Sequence, residues 1–204
     1  MTEIARIMRL APVIPVLVVD DPAHARPLAE ALVAGGLTVL EVTLRTPAAL
    51  EVIAEMAQIP GAVVGAGTVL NAVDLAAAIA AGAKFIVSPG LTEPLAHAAI
   101  DAGIPFLPGI ANAGDIMRGL DLGLRQFKFF PATASGGLPV LGAFAAVFGG
   151  VEFCPTGGIT EASAPEWLGK PFVTCVGGSW LAARGDTDFA AIEARARAAA
   201  ALGG

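Results

Sequence analysis

Cysteine, histidine and charged residues are all scarce in this chain of 204 residues, and each scarcity excludes a class of protein. Two cysteines are too few for a disulfide-stabilised scaffold, and they fit a reducing cytoplasm. The two histidines, His24 and His97, fall on predicted helices away from strand ends, so we expect no metal site. The net charge of −6, without any basic block, argues against a nucleic-acid groove.

Apolar residues make up 55% of the chain, which rules out wholesale disorder. The length of 204 residues predicts one domain with a sizeable core over residues 1–204. The apolar run at 11–19 lacks a following small-residue cleavage site and is interpreted as a strand rather than a signal peptide. Residues 129–151 carry no charge, but Pro131, Pro139 and two Gly-Gly pairs divide them into strand end, loop and helix. A membrane span is therefore the less favoured interpretation of that stretch.

Short β-branched runs alternate with alanine-rich helical runs along the whole chain. The predicted strands are 13–19, 39–44, 62–67, 85–89, 105–110, 126–131, 151–156 and 172–177. The predicted helices include 22–34, 47–57, 73–81, 94–102 and 115–122, with two flanking helices at 3–10 and 188–202. Eight such units predict an α/β protein that folds as a closed (β/α)₈ TIM barrel with an extra N-terminal and an extra C-terminal helix.

A doubly wound open sheet is the alternative architecture. It would carry a glycine-rich fingerprint after the first strand, where this chain has Asp20-Asp21-Pro22 instead. The run Gly65-Ala66-Gly67 lies at the end of the third strand but lacks the third glycine of a dinucleotide fingerprint. The barrel is therefore the preferred prediction.

One of only three lysines, Lys128, lies between phenylalanines in the predicted sixth strand. Burial in an apolar strand disfavours the charged ammonium form of a lysine, and the neutral amine is a nucleophile able to form a Schiff base. A lysine that extends to the surface, or pairs with a buried carboxylate, remains the alternative. Residue parity predicts that Lys128 and Phe130 share the inner face of the strand.

The second strand places Glu41, Thr43 and Arg45 on one face, opposite an apolar face of leucine and valine. Because helices cover the outside of a barrel, the polar face is expected to point to its axis, as Lys128 does. A structural ion pair of Glu41 with Lys128 or Arg45 is the other interpretation, although desolvation makes buried pairs poor stabilisers.

Polar residues and glycines follow several other predicted strands. Thr68, Ser88-Pro89, Asn112 and Thr156 stand at the ends where barrel enzymes carry their sites, although helix caps are common there too. Gly157-Gly158 and Gly178-Ser179 follow the seventh and eighth strands, where backbone amides at a helix N-terminus commonly bind phosphate. Simple tight turns would also explain these glycines.

Five ordered motifs together resemble one known family, that of 2-keto-3-deoxy-6-phosphogluconate and 4-hydroxy-2-oxoglutarate aldolases. They are LEVTLRT at 40–46, GAGTVL at 65–70, FIVSPG at 85–90, FKFFPA at 127–132 and CPTGGI at 154–159. The resemblance runs from about residue 11 to about residue 182. It implies a class I (Schiff-base) aldolase, a carbon–carbon lyase, on a TIM barrel. The implied enzyme is a homotrimer that releases pyruvate in the Entner–Doudoroff breakdown of sugar acids and uses no metal or cofactor.

The resemblance also implies roles for individual residues. Lys128 forms the Schiff base with the pyruvate moiety, and Glu41 moves protons. The other implied contacts are Arg45 and Thr68 to the substrate carboxylate, Pro89, Phe130 and Thr156 along the pocket wall, and Gly157, Gly158, Gly178 and Ser179 to the phosphate. The implied partner is a phosphorylated keto acid, with glyceraldehyde 3-phosphate as second product; 4-hydroxy-2-oxoglutarate would give glyoxylate.

Two positions bear on how closely the chain follows that family. Ala111-Asn112 replaces an expected serine or threonine pair, which leaves an asparagine able to cap the next helix. Arg45 favours the gluconate branch over a galactonate branch that carries asparagine there. A phosphosugar epimerase or isomerase barrel, and a non-catalytic barrel that binds a sugar phosphate, remain the competing functions.

Overall fold

The computed structural model describes residues 1–203, in which short strands alternate with helices. The strands are β1 (Val13–Leu17), β2 (Val39–Thr43), β3 (Val63–Gly67), β4 (Phe85–Val87), β5 (Phe106–Leu107), β6 (Gly109–Ile110), β7 (Gln126–Phe129), β8 (Glu152–Pro155) and β9 (Val176–Gly178). The helices are α1 (Glu3–Met8), α2 (Ala25–Ala34), α3 (Ala49–Met56), α4 (Ala72–Ala80), α5 (Glu93–Asp101), α6 (Ala113–Asp121), α7 (Gly137–Val147), α8 (Ala164–Leu168) and α9 (Phe189–Ala200). Single 3₁₀ turns span Pro22–His24 and Ala201–Gly203.

Every strand pairing within the described residues is parallel. One sheet has six strands in the order β5-β4-β3-β2-β1-β9, and a second has three in the order β6-β7-β8. Two isolated parallel bridges, Phe153 with Val173 and Thr156 with Gly177, join β8 and its end to the segment that contains β9. The predicted α/β class with parallel strands is confirmed, and so are the two flanking helices, which appear as α1 and α9.

Two predicted strands differ from the observed ones. The fifth is divided into β5 and β6 at Pro108, because proline has no N–H to donate to a ladder. The eighth begins at Val176 rather than at residue 172, since Val173 donates its N–H to Lys170 in a turn. Strand β9, which follows this turn, pairs with β1.

Two separate apolar clusters lie on the two faces of the strands. The larger one includes Leu40, Val42, Phe127 and Phe129 and packs against the surrounding helices. The smaller one lies on the inner face and is contributed by α1 as well as by the strands; its members are Ile4, Ile7, Met8, Ile14, Val39, Phe85, Val87, Leu107, Cys154 and Cys175. Helix α1 therefore closes the inside of the strand assembly at one end.

A polar chain ties α1 to the strands beside that inner cluster. Thr2 donates to Gln126 at 2.9 Å, and Gln126 donates to Glu152 at 3.0 Å. Arg9, just after α1, forms an ion pair with the same Glu152 carboxylate. No helix within residues 1–203 combines the length and apolarity needed to cross a bilayer.

Candidate active site

Lys128 on β7 and Glu41 on β2 meet inside the strand assembly. The Nζ of Lys128 donates to Oε1 of Glu41 at 2.9 Å, although the residues are 87 positions apart in the chain. Both side chains are buried, with 7% and 4% of their surface exposed. A buried ion pair of this kind contributes little net stability after desolvation, so its position calls for a chemical explanation.

Strand parity places these two side chains on the inner face, as the sequence predicted. Phe127 and Phe129 lie in the outer cluster, and the Phe129 ring meets Phe144 of α7 edge to face, with 6.2 Å between ring centroids. Lys128 alternates with them and points the other way. Its ammonium lies 5.4 Å from the centroid of the Phe130 ring, within the range of a cation–π contact.

Arg45 lies just beyond β2, where its side chain is held by Thr43. The Nε of Arg45 donates to Oγ1 of Thr43 at 3.1 Å, and that hydroxyl donates to the carbonyl of Leu17 at 2.7 Å. Within residues 1–203, Arg45 forms no ion pair with a carboxylate. The guanidinium is exposed and still has four N–H donors available.

A cavity of about 180 Å³ brings most of the predicted site residues together. It is lined by Val16, Glu41, Thr43, Arg45, Thr68, Pro89, Lys128, Phe130 and Thr156. Seven of these are the residues predicted to bind the carboxylate, form the imine, move protons or line the pocket. The sequence predicts no role for the other two, Val16 and Thr43. Residue parity places Thr43 on the correct face, but it does not predict the hydrogen bond from Arg45.

Two glycines make room for reactive side chains in this cavity. A Cβ atom at Gly67 of β3 would lie 2.2 Å from Oε1 of Glu41, and one at Gly177 of β9 would lie 2.2 Å from Oγ1 of Thr156. No side chain fits in either place without moving the carboxylate or the hydroxyl. Thr68, directly after Gly67, adopts a left-handed backbone with φ of 59°, which is uncommon for threonine and turns the chain at the cavity.

The four residues predicted for phosphate lie next to the cavity rather than in its lining. Gly157 follows Thr156, and a Cβ atom on it would lie 3.4 Å from the Phe130 ring. The amides of Gly158 and Ser179 donate no hydrogen bond to a backbone carbonyl of residues 1–203. Gly178 ends β9, one residue after the bridge that joins Gly177 to Thr156.

The helix N-termini expected at these two loops are not there. Gly157 and Gly158 both have left-handed φ values, 101° and 77°, which cannot continue into a right-handed helix. The next helices begin only at Ala164 and at Phe189. Any anion at this end would therefore meet loop amides rather than the first turn of a helix.

Asn112, where the chain departs from the family pattern, is a helix cap. Its side chain accepts from the amide of Asp115 at 3.0 Å at the start of α6. It does not line the cavity. The capping alternative that the sequence left open is thus the observed one.

Neither the two cysteines nor the two histidines line the cavity. Cys154 and Cys175 are buried in the inner cluster, where the hydrogen bond with Cys154 and burial raise the pKa of the Cys175 thiol well above its usual value. His24 and His97 lie in the Pro22–His24 turn and in α5. Within residues 1–203 there is no group of three or more His, Cys, Asp and Glu side chains that could hold a metal.

Comparison with known proteins relates the chain to one family. Residues 4–195 match the family model described as KDPG and KHG aldolase. A 2-dehydro-3-deoxy-phosphogluconate aldolase of Zymomonas mobilis is 60% identical over 202 residues, which cover 99% of this chain and 97% of that protein.

Two solved structures are similar over nearly the whole chain. One is the 2-keto-3-deoxy-6-phosphogluconate aldolase of Zymomonas mobilis with 3-phosphoglycerate, at a TM-score of 0.97 and 60% identity over 98% of this chain and 96% of that one. The other is the KDPG aldolase of Legionella pneumophila with pyruvate captured as a covalent carbinolamine intermediate. Its TM-score is 0.95 and its identity 43%, with 98% of each chain covered.

Proposed function

We propose that this chain, which belongs to the KDPG and KHG aldolase family, cleaves 2-keto-3-deoxy-6-phosphogluconate to pyruvate and glyceraldehyde 3-phosphate. The observation that carries the proposal is the 2.9 Å contact between Lys128 and Glu41 in a cavity that also holds Arg45. An amine, a proton acceptor and a carboxylate-binding cation are the three groups that Schiff-base cleavage of a keto acid requires.

Substrate binding begins at Arg45 and Thr68. The four free N–H donors of Arg45 can hold the carboxylate of the keto acid by two parallel hydrogen bonds, and the Thr68 hydroxyl adds a third. Fixing the carboxylate directs the adjacent C2 carbonyl at Lys128 and saves the entropy of orienting it during the reaction.

Imine formation follows at Lys128. The Nζ atom gives up a proton and adds to C2, the carbonyl oxygen takes up a proton to form a carbinolamine, and loss of water leaves a protonated imine. Glu41 is the carboxylate within hydrogen-bonding distance of Nζ, so it receives and returns these protons. A covalent carbinolamine with pyruvate, captured in the Legionella pneumophila relative, supports this sequence of steps.

Carbon–carbon cleavage uses the imine as an electron sink. Glu41, directly or through a water, removes the proton of the C4 hydroxyl; the C3–C4 bond breaks, and its electrons form an enamine on Lys128. Protonation at C3 and hydrolysis then release pyruvate and regenerate the amine. Pro89, Phe130 and Thr156 form the walls that keep C3 and C4 beside this carboxylate.

The far end of the substrate is assigned to the glycine loops. The amides of Gly158 and Ser179, which have no backbone acceptor among residues 1–203, support this assignment, in which they bind the phosphate together with the backbone of Gly157 and Gly178. The 3-phosphoglycerate in the Zymomonas mobilis relative supports a phosphorylated three-carbon product. 4-Hydroxy-2-oxoglutarate, which lacks this phosphate, would react by the same steps to give pyruvate and glyoxylate.

Reductive trapping tests the proposal directly. The protein is incubated with pyruvate, treated with borohydride and digested, and the modified peptide is mapped by mass spectrometry. We expect a stable adduct on Lys128 and none on Lys84 or Lys170. An unlabelled Lys128 would contradict the aldolase and favour the isomerase or the non-catalytic barrel, neither of which needs an imine.

The proposal extends to the fold and the assembly. The two bridges from β8 to the β9 segment, and the near-continuity of β5 and β6, support closure of the strands into an eight-stranded (β/α)₈ barrel over a single domain, residues 1–204. We further propose a homotrimer in the cytoplasm that needs no metal or cofactor. Exposed apolar side chains such as Val73 and Val147 support burial of part of the surface by another copy.

A further inference from the structure

We infer that Thr43 is a positioning residue that sets which edge of the Arg45 guanidinium faces the substrate. The inference rests on the proposed function, because it concerns the same carboxylate site. Thr43 is 2% exposed, lies on β2 between Glu41 and Arg45, and contributes to the cavity wall. Nothing in the five sequence motifs distinguishes it from a structural strand threonine.

The direction of two hydrogen bonds carries the argument. The Thr43 hydroxyl has one proton, which is donated to the carbonyl of Leu17 at 2.7 Å. Its oxygen is therefore left as an acceptor, and Arg45 Nε donates to it at 3.1 Å. The backbone of β1 thus fixes the orientation of the hydroxyl, and the hydroxyl fixes the guanidinium.

The bond from Arg45 to Thr43 determines which of two edges of the guanidinium is free to bind a carboxylate. Arg45 can bind a carboxylate bidentately through Nε with one terminal nitrogen or through both terminal nitrogens. Because Nε is occupied by Thr43, the pair of terminal nitrogens remains for the keto acid. Without Thr43 the exposed side chain would sample both modes and other rotamers, and the C2 carbonyl would lose its fixed approach to Lys128.

Two variants of Thr43 and one background variant test the inference. Thr43→Val removes the hydroxyl and keeps the shape, Thr43→Ser keeps the hydroxyl, and each is compared with the parent and in an Arg45→Met background. The readout is the pyruvate concentration that half-saturates borohydride labelling of Lys128. We expect Thr43→Val to raise it about tenfold, the size of one hydrogen bond, while labelling at saturation stays within about threefold.

The matched control is Thr46→Val. Thr46 makes the same kind of bond, from its hydroxyl to the carbonyl of Val19 at 2.7 Å, but has no hydrogen bond to Arg45. We expect it to leave half-saturation unchanged, and Thr43→Ser to restore it. In the Arg45→Met background Thr43→Val should have no further effect, since its partner is gone.

Each remaining outcome decides between two hypotheses. Equal half-saturation in Thr43→Val and the parent, or a full tenfold effect that persists with Arg45→Met, overturns the positioning role and leaves the aldolase intact. A parent protein that forms no adduct overturns the aldolase and this inference with it. Thr43→Ala replaces Thr43→Val if the valine variant does not fold, as judged by circular dichroism.

Discussion

At the scale of single residues, the chemistry of the cavity depends on one buried cation, Lys128, whose Nζ donates to the Glu41 carboxylate. Lys128 could be singled out because a cation between phenylalanines is costly, and parity then gave the direction of its side chain. Its 2.9 Å contact with Glu41 could not be derived in this way, because β2 and β7 lie in different sheets and their side chains meet only through the packing of the whole strand assembly. The sequence also does not predict the contact of Thr43 with Arg45, because that contact depends on how the chain turns after β2.

Glu41→Gln is predicted to separate chemistry from folding. The amide oxygen can still accept a hydrogen bond from Lys128 but cannot take up a proton, so kcat should fall by about 10²–10⁴-fold. Turnover is measured by coupling pyruvate release to lactate dehydrogenase, and Tm by calorimetry. A loss of Tm large enough to account for the lost activity would contradict a proton-transfer role.

Gly67→Ala is predicted to reduce turnover through the position of Glu41. The added methyl would lie 2.2 Å from Oε1, so the carboxylate must move away from Lys128, and we expect kcat to fall by at least about 100-fold. Gly142→Ala in α7 is the control, because a Cβ atom there meets nothing within 4 Å. That variant should keep its activity and gain up to about 1 kcal/mol in stability.

At the scale of elements, hydrophobic pattern and turn residues predicted the strands within a few residues, with exceptions that have local causes. The division at Pro108 follows from a missing N–H. The sequence predicts a helix within residues 129–151 but not where α7 begins and ends. Its uncharged sequence offers no polar face from which a helical period can be recognised. A helix was expected to begin at the Gly157-Gly158 loop. These two successive glycines have left-handed backbones and hold the chain in an open turn, so α8 begins only at Ala164.

The link between α1 and β8 predicts a stability that depends on pH. Burial opposes ionisation of Glu152, but hydrogen bonds from Arg9 and Gln126 and the charge of Arg9 outweigh it and hold the carboxyl pKa below its usual value. Because the folded-state pKa lies below the unfolded one, this contribution is complete above about pH 4.3 and is lost as pH falls through the folded-state pKa.

Glu152→Gln tests that link by urea unfolding at pH 7 and pH 3.5. The variant should lose about 0.5–1 kcal/mol at pH 7, the range for partly exposed pairs, and show a smaller loss between the two pH values than the parent. Glu3→Gln serves as control, because Glu3 pairs only with exposed Arg6 within α1 itself. An identical pH response in Glu152→Gln and the parent would show that this ion pair does not secure α1.

At the scale of the whole molecule, composition predicted a single apolar domain but could not reveal which surfaces remain uncovered. Leu70, Val73, Met117 and Val147 are each more than half exposed, and Leu70 and Val73 flank the start of α4. Such side chains are the ones an oligomer buries. Their positions depend on how helices pack around the strands, which hydrophobic periodicity alone does not determine.

The homotrimer is predicted to be visible by sedimentation equilibrium. We expect a mass near three times the 20.4 kDa of the chain, independent of concentration across the micromolar range. A mass of one chain at all concentrations would contradict the trimer. It would leave the proposed chemistry unaffected, because every residue assigned to it lies within the same chain.

The unpaired guanidinium at the cavity bears on how the substrate arrives. The molecule carries a net charge of −6, so a substrate with a carboxylate and a phosphate is repelled at long range. Arg45, without a carboxylate partner among residues 1–203, supplies a positive charge at the cavity that attracts the substrate at short range. Dissolved salt screens the distant repulsion more completely than the short-range attraction. Moderate ionic strength should therefore quicken, rather than slow, the encounter of this protein with a ligand that carries a carboxylate and a phosphate.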